Sequence, residues 1–277
     1  MEFVTIPAYA KLNLTLSVLS RRADGYHDLE SLMQSVSLFD TVTVRRARDV
    51  TVTAVGMRLP YDNTMRRAAE RYYRETGRGA TVHAVKRIPA EAGLGGGSAD
   101  AAAVLLALQR LYDEPDDAAL NEMALSVGAD VPFCLHAQRG GSLALARGVG
   151  EALTPLAPVP MYFVIARAWE GVSTRALFTA LSLPCENADT AAALAALSAS
   201  DLPALGGQLK NALEPPAAKL VPEIAALKEK LMHAGALGAC MTGSGSAVFG
   251  LFASAEAARA ALPAVADASF SCVCRAR

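Results

Sequence analysis

The chain of 277 residues is long enough for two domains, and at 52% hydrophobic residues it buries a sizeable core and does not read as disordered. Its formal net charge of -1 lacks the basic surplus of a nucleic-acid binder. The five cysteines are odd in number with no CxxC pair, and the four histidines lack metal-ligand spacing, so buried thiols in a reduced cytoplasmic protein are expected and a zinc site is not.

The N-terminus has no basic start leading into an apolar run, and Lys11 interrupts it, which excludes a signal peptide on this reading. Residues 3–55 alternate as strands do. In "KLNLTLSVL", Leu12, Leu14 and Leu16 face one way and Lys11, Asn13 and Thr15 the other, the polar side being expected toward solvent. Asp24-Gly25 marks a turn, and "DTVTVRR" and "VTVTAV" continue the alternation. Residues 64–76 read as a helix closed by Gly77 and "ATVHAVK" as a strand. A glycine-rich loop then feeds a helix over 98–112. A further helix covers 117–127, with Gly128 as a left-handed cap.

The prolines of "TPLAPVP" suggest a boundary near 155–160, hence domains 1–156 and 157–277. Beyond it, "MYFVIAR" is a strand, followed by several helices including 222–233. Strands at 237–241 and 247–252 flank a second glycine loop, before a helix at 255–264 and a strand at 269–274. Leaving the extra helices aside, this is the β-α-β-β-α-β order of a ferredoxin-like domain. In the last strand Cys272 and Cys274 share a face. Residues 236–255 lack charge over about the length of a membrane span. However, the "TGSGS" inside them argues for strand, loop and strand.

Four short segments carry candidate chemistry. In "PAEAGLGGGSADAA", Gly93, Gly95, Gly96 and Gly97 remove the Cβ atoms that would hold a phosphate away from a helix N-terminus. Ser98, near the N-cap, caps the helix or reaches a phosphate or metal. No lysine follows the glycines, so this is not a Walker A loop, and Ser98 replaces the third glycine of a dinucleotide fingerprint. The bland alternative is a linker or a close helix–strand crossing. "TGSGS" reads equally as a hairpin turn. Lys11 reads as an ordinary surface lysine, raised slightly because the chain uses arginine for most of its positive charge. In "GADVP", Asp130 either caps the next turn or is a carboxylate held for a substrate hydroxyl.

Together and in this order, these segments resemble the GHMP kinase superfamily. The glycine loop (residues 89–102) matches its phosphate loop, and "MTGSGSAVF" matches its C-terminal glycine motif. Within it, "AKLNLTLSVLSRRADGYHDLESLMQ", "GADVPF" and "RGVGE" are similar to the family of 4-diphosphocytidyl-2-C-methylerythritol kinases, over nearly the whole chain. One departure from many superfamily members, the run Gly95-Gly96-Gly97 before Ser98, is usual in that family.

The resemblance implies an α+β fold, with an N-terminal domain like domain 2 of ribosomal protein S5 and a ferredoxin-like C-terminal domain. It implies transfer of the ATP γ-phosphoryl group, with Mg²⁺, to the 2-hydroxyl of the diphosphocytidyl substrate. Asp130 is then the proton acceptor and Lys11 its cationic partner. ATP falls to Pro89, Gly93, Leu94, Gly95, Gly96, Gly97, Ser98, Ala99 and, at the nucleoside, Asn63. The substrate falls to Asn13, Asp130, Gly243 and Ser244. At its cytosine end, Tyr26 and Phe178 form an aromatic sandwich, His27 reads the base edge and Thr174 adds a polar contact. No metal ligand is assigned. Small-molecule partners, no nucleic acid, no membrane, and a cytoplasmic monomer or homodimer are expected. The alternatives are a superfamily kinase for another alcohol, such as homoserine or mevalonate, and a non-catalytic RNA-contacting module.

Overall fold

A computed structural model describes residues 2–277. In chain order it begins with β1 (Phe3–Arg21), β2 (His27–Ala47), β3 (Thr51–Val55), α1 (Thr64–Thr76) and β4 (Gly79–Val85). Then come α2 (Gly96–Tyr112), α3 (Asp117–Val127), α4 (Val131–Gln138), β5 (Leu143–Gly148), β6 (Ala152–Leu156) and β7 (Tyr162–Arg167). The helices α5 (Thr174–Ala180), α6 (Thr190–Ser198) and α7 (Leu202–Gln208) precede β8 (Lys210–Asn211), α8 (Glu214–Leu220) and α9 (Glu223–His233). The chain ends with β9 (Gly238–Met241), β10 (Ala247–Phe252), α10 (Ala255–Ala261), a 3₁₀ turn (Leu262–Val265) and β11 (Phe270–Arg275).

The chain forms two compact units. One comprises the residues through Ala10, Leu38–Ala90 and Gly95–Gly141; the other comprises Lys11–Ser37, Glu91–Leu94 and Ser142–Arg277. Thr154 and Pro155 of the proline-rich segment lie within β6.

In the first unit, β3 pairs parallel with β4 and β4 antiparallel with the later part of β2. Alternate residues of the strands (Val4, Ile6 and Ala8; Val42 and Val44; Ala80, Val82 and Ala84) face one core. α1 adds Met65, Ala68, Ala69 and Tyr72, the i, i+3, i+4, i+7 stripe of an amphipathic helix. Asn63 caps its start and Gly77, with φ 69°, closes its end. α2 is buried on every side from Ala99 through Leu108, which explains its nearly uncharged sequence. Gly128 has φ 173°, extended backbone, so it is not the left-handed cap expected at the end of α3.

In the second unit, β5 pairs with the early part of β2 and with β6, and β8 lies parallel to β1. Pattern does not mark β5, β6 and β8: the apolar start of β5 shows no polar alternation, β6 contains Pro155, and β8 has two residues. A separate sheet has the order β11-β7-β10-β9, with each neighbouring pair antiparallel. That is the ferredoxin-like order expected from β-α-β-β-α-β. Val164, Ala166, Met241, Val248 and Phe252 on this sheet pack against Ile224, Leu227 and Leu231 of α9 and Ala258 and Ala261 of α10. The Cys272 and Cys274 sulfurs lie 3.5 Å apart on the same face of β11.

The polar side of β1 corrects the sequence expectation. Lys11 and Asn13 are each 3% exposed and Thr15 is fully buried. The alternation of "KLNLTLSVL" is real, but both faces of this strand are covered. Residues 236–255 form the β9–loop–β10 unit, and among the described residues no helix is long and apolar enough to cross a membrane.

Candidate active site

Burying a lysine and an asparagine on one strand face requires partners for both. Lys11 Nζ donates to Asn13 Oδ1 at 2.5 Å. Asn13 Nδ2 donates to Ser31 Oγ at 2.8 Å, and Ser31 Oγ donates to the Thr15 carbonyl at 2.5 Å. The Asn13 backbone N–H donates to Thr242 Oγ1 at 3.0 Å, and Thr242 Oγ1 donates to the Gly93 carbonyl at 3.3 Å. One hydroxyl thereby joins β1, the loop after β9 and the first glycine loop.

The second glycine loop is held from behind. Asn211, 3% exposed, donates from Nδ2 to the Met241 and Gly243 carbonyls, both at 2.8 Å, and its Oδ1 accepts the Leu213 N–H. Gly243 and Gly245 adopt φ of 55° and 82°. A Cβ on Gly243 would stand 3.1 Å from Lys11 Nζ, so this loop lies against the buried ammonium. "TGSGS" is thus more than a hairpin turn. Ser31, Thr242 and Asn211 were not singled out from sequence, because serine, threonine and asparagine carry no spacing signal of their own. Only the fold places them at Lys11 and at this loop.

The first glycine loop has left-handed backbone at Glu91, Gly93 and Gly95. Gly95 is the N-cap of α2, and no side chain caps this end. Its first-turn N–H groups and helix dipole form the anion-attracting end of a helix. Ser98 stands inside the first turn, not at the cap as expected, because the helix begins at Gly96. The glycines also have packing reasons: a Cβ on Gly93 would lie 2.0 Å from the Thr242 carbonyl oxygen, on Gly96 2.9 Å from Ile88 Cγ2, and on Gly97 3.0 Å from Thr64 Oγ1. Leu94 and Ala99 turn their side chains into the interior, while the Leu94 carbonyl accepts the Lys11 N–H at 3.0 Å. Pro89 is half-buried at the start of the loop.

Thr64 Oγ1 donates to the Gly97 carbonyl at 2.6 Å, which brings the starts of α1 and α2 together. Beside it, the Asn63 side chain is engaged locally: Oδ1 accepts from Arg66 N at 3.1 Å and Nδ2 donates to the Pro60 carbonyl at 2.9 Å. Asp130, half-buried, occupies the N-cap position of α4 but makes no capping hydrogen bond, so the capping role considered for it is not used.

At the expected base-binding end, Phe178 on α5 stacks on His27, with centroids 4.8 Å apart and planes at 24°. Tyr26 is 65% exposed, at the turn whose Asp24 Oδ1 accepts its backbone N–H at 3.0 Å. Thr174 and Ser244 place their hydroxyls 2.8 Å apart. Among the described residues, no group of three or more His, Cys, Asp or Glu side chains could hold a metal ion.

The family model of the GHMP kinase N-terminal domain matches residues 63–138, and that of the GHMP kinase C-terminal domain matches residues 191–270. The chain is a GHMP kinase: an α+β enzyme in which the S5-like and ferredoxin-like expectations hold. A 4-diphosphocytidyl-2-C-methyl-D-erythritol kinase from Pelotomaculum thermopropionicum is 44% identical over 92% of this chain and 91% of its own. A crystal structure of 4-(cytidine 5'-diphospho)-2C-methyl-D-erythritol kinase, 38% identical, superposes with a TM-score of 0.84 over 99% of both chains. A homoserine kinase from Cytophaga hutchinsonii, at 24% identity and TM-score 0.77 over 100% of this chain and 95% of its own, shares the fold.

Proposed function

We propose that this chain transfers the γ-phosphoryl group of ATP to the 2-hydroxyl of 4-diphosphocytidyl-2-C-methyl-D-erythritol, a step of non-mevalonate isoprenoid synthesis. The observation that carries the reading is the 44% identity to a kinase of that name across 92% of the chain. The homoserine-kinase likeness, at 24% identity, extends to the fold alone.

Phosphoryl transfer needs positioning and charge neutralisation more than covalent help. In this reading Asp130, whose carboxylate is not used as a helix cap, accepts the hydroxyl proton. Lys11 supplies positive charge to the transferring group, its ammonium fixed by Asn13 and backed by Gly243. The uncapped N-terminus of α2 and the backbone of residues 89–99 take the ATP phosphates, with Ser98 in the first turn. Asn63 contacts the nucleoside by giving up one of its local hydrogen bonds. Asn13, Gly243 and Ser244 line the substrate, with Thr174 beside Ser244. Tyr26, His27 and Phe178 receive the cytosine.

Mg²⁺ accompanies ATP in such chemistry and neutralises phosphate charge when bound. The described residues offer it no three-ligand cluster, so no protein ligand is assigned and no step runs through it. A cytoplasmic monomer or homodimer, acting on small molecules without nucleic acid or membrane, completes the reading.

The test is turnover by the purified protein with ATP and, in parallel, the diphosphocytidyl alcohol, homoserine and mevalonate, with phosphorus NMR of the products. A new phosphomonoester on the diphosphocytidyl compound is expected. Preferential phosphorylation of either other alcohol overturns the substrate assignment. RNA affinity with no ATP turnover overturns the kinase reading.

A further inference from the structure

Where the chain enters and leaves the first glycine loop, three charged side chains meet that the reaction scheme does not use. Asp40 on β2 is fully buried, Lys86 follows the last residue of β4, and Asp100 on α2 is 2% exposed. Lys86 Nζ donates to Oδ2 of both Asp40 and Asp100. Asp40 Oδ1 accepts the backbone N–H groups of Arg87 and Ile88, the latter at 2.9 Å. Asp100 Oδ1 is buried with no hydrogen-bond partner among the described residues.

This arrangement is an expensive way to obtain stability. Two carboxylates share one ammonium out of water, and one oxygen goes unsatisfied; an apolar cluster of the same volume commonly does as well or better. What the ions supply is direction. Asp40 fixes residues 86–88, which enter the loop, and Asp100 fixes the helix that leaves it. Lys86 joins the two. The same two ends meet directly where Gly96 leaves no room for a Cβ against Ile88 Cγ2. A slip of α2 against residues 86–88 would move the first-turn N–H groups and the residues around them.

We propose that Asp40, Lys86 and Asp100 form a buried clasp that fixes the two ends of the phosphate loop, with Asp100 a positioning residue for nucleotide binding. The proposal rests on the reading of this loop as the nucleotide site. Asp100 acts through the loop and does not touch the nucleotide.

The clasp is proton-linked. Burial pushes the Asp100 carboxyl up to about 7, against the lowering influence of Lys86 and with the Asp40 charge adding to the rise. The charged groups facing it are Lys86, after β4, and Asp40, on β2. A carboxyl whose folded-state pKa is raised makes the folded protein bind the extra proton. Its contribution to stability is therefore greatest at low pH and falls as pH rises from the ordinary carboxylate range through about 7.

The experiment uses the full chain with Asp100→Asn and Asp100→Leu. It measures KM for ATP and for the alcohol, kcat, and thermal midpoint from mildly acid to mildly alkaline pH. Deuterium exchange of the amides at 93–99, with and without ATP, is followed in parallel. Both variants are expected to fold. Each should raise KM for ATP roughly tenfold, a displacement well short of the 1 Å that costs about a hundredfold, with KM for the alcohol nearly unchanged. Asp100→Leu should do so with an undiminished thermal midpoint, and both variants should flatten its dependence on pH. ATP should protect the loop amides of the wild type and protect them less in the variants. If Asp100→Asn changes the thermal midpoint but leaves KM for ATP within twofold, the clasp is merely structural and the proposal falls. If ATP leaves the wild-type loop amides unprotected, the nucleotide reading of the loop fails first, and the proposal with it.

Discussion

The stack of Phe178 on His27 gives a quantitative handle on the cytosine site. The ring centroids, 4.8 Å apart, lie within the range of productive aromatic pairs, and Phe178 also packs against the core of the second unit. Phe178→Leu retains apolar bulk for that core contact and removes the flat face. Stacking of a base on an aromatic ring contributes about 1–3 kcal/mol. If the base displaces His27 from Phe178, the protein gives up a pair worth about 0.5–1.5 kcal/mol. The net loss in Phe178→Leu is then about 0.5–1.5 kcal/mol, or a rise in substrate KM of roughly two- to thirteenfold. Tyr26, already 65% exposed, forfeits no such pair, so Tyr26→Ala should cost the full stacking contribution, at least fivefold in KM. Initial rates at saturating ATP, against the cytidyl substrate and its uridyl analogue, measure both. His27→Ala completes a double-mutant cycle with Phe178→Leu and should also weaken the preference for cytidine over uridine. KM for ATP serves as the control. A change below twofold in substrate KM for both Phe178→Leu and Tyr26→Ala, with native circular dichroism, would refute the aromatic clamp.

Three further outcomes follow from particular contacts. Asp130→Asn should lower kcat by about two to four orders of magnitude. Circular dichroism should show a retained fold, since no capping bond of α4 is lost; near-normal turnover would make Asp130 a structural residue. Gly93→Ala forces a Cβ to within 2.0 Å of the Thr242 carbonyl at φ +70°, and should abolish folding or lower the thermal midpoint sharply, as calorimetry would show. Asn211→Ala removes the side-chain partner of the Gly243 carbonyl and of the Leu213 N–H, and one of two donors to the Met241 carbonyl, and should cost about 2 kcal/mol or more in urea unfolding. A loss below about 1 kcal/mol would mean that the second glycine loop stands without it.

Much of this protein was legible in the chain itself, wherever a local rule suffices. The stripe Met65, Ala68, Ala69 and Tyr72, with Asn63 before it and Gly77 after it, specifies α1 from end to end. The uncharged run after the second glycine loop marked β10, and the order of elements in the last third gave the ferredoxin-like sheet. The motif residues were visible because glycines, lysine and aspartate at those spacings are chemically conspicuous. Tertiary structure decided what local pattern leaves open. A period of two says that Lys11 and Asn13 share a face, but not whether water or protein covers it; here protein covers it. Glycine content marks a loop, but the Thr242 carbonyl against Gly93 and Ile88 against Gly96 fix how closely each loop is packed. Asp40, Lys86 and Asp100 are separated by 46 and 14 residues along the chain, and nothing short-range links them. Their meeting is a property of the sheet and of the helix laid upon it. A sequence read one segment at a time records each charge, while only the folded chain shows that three of them share one dry site.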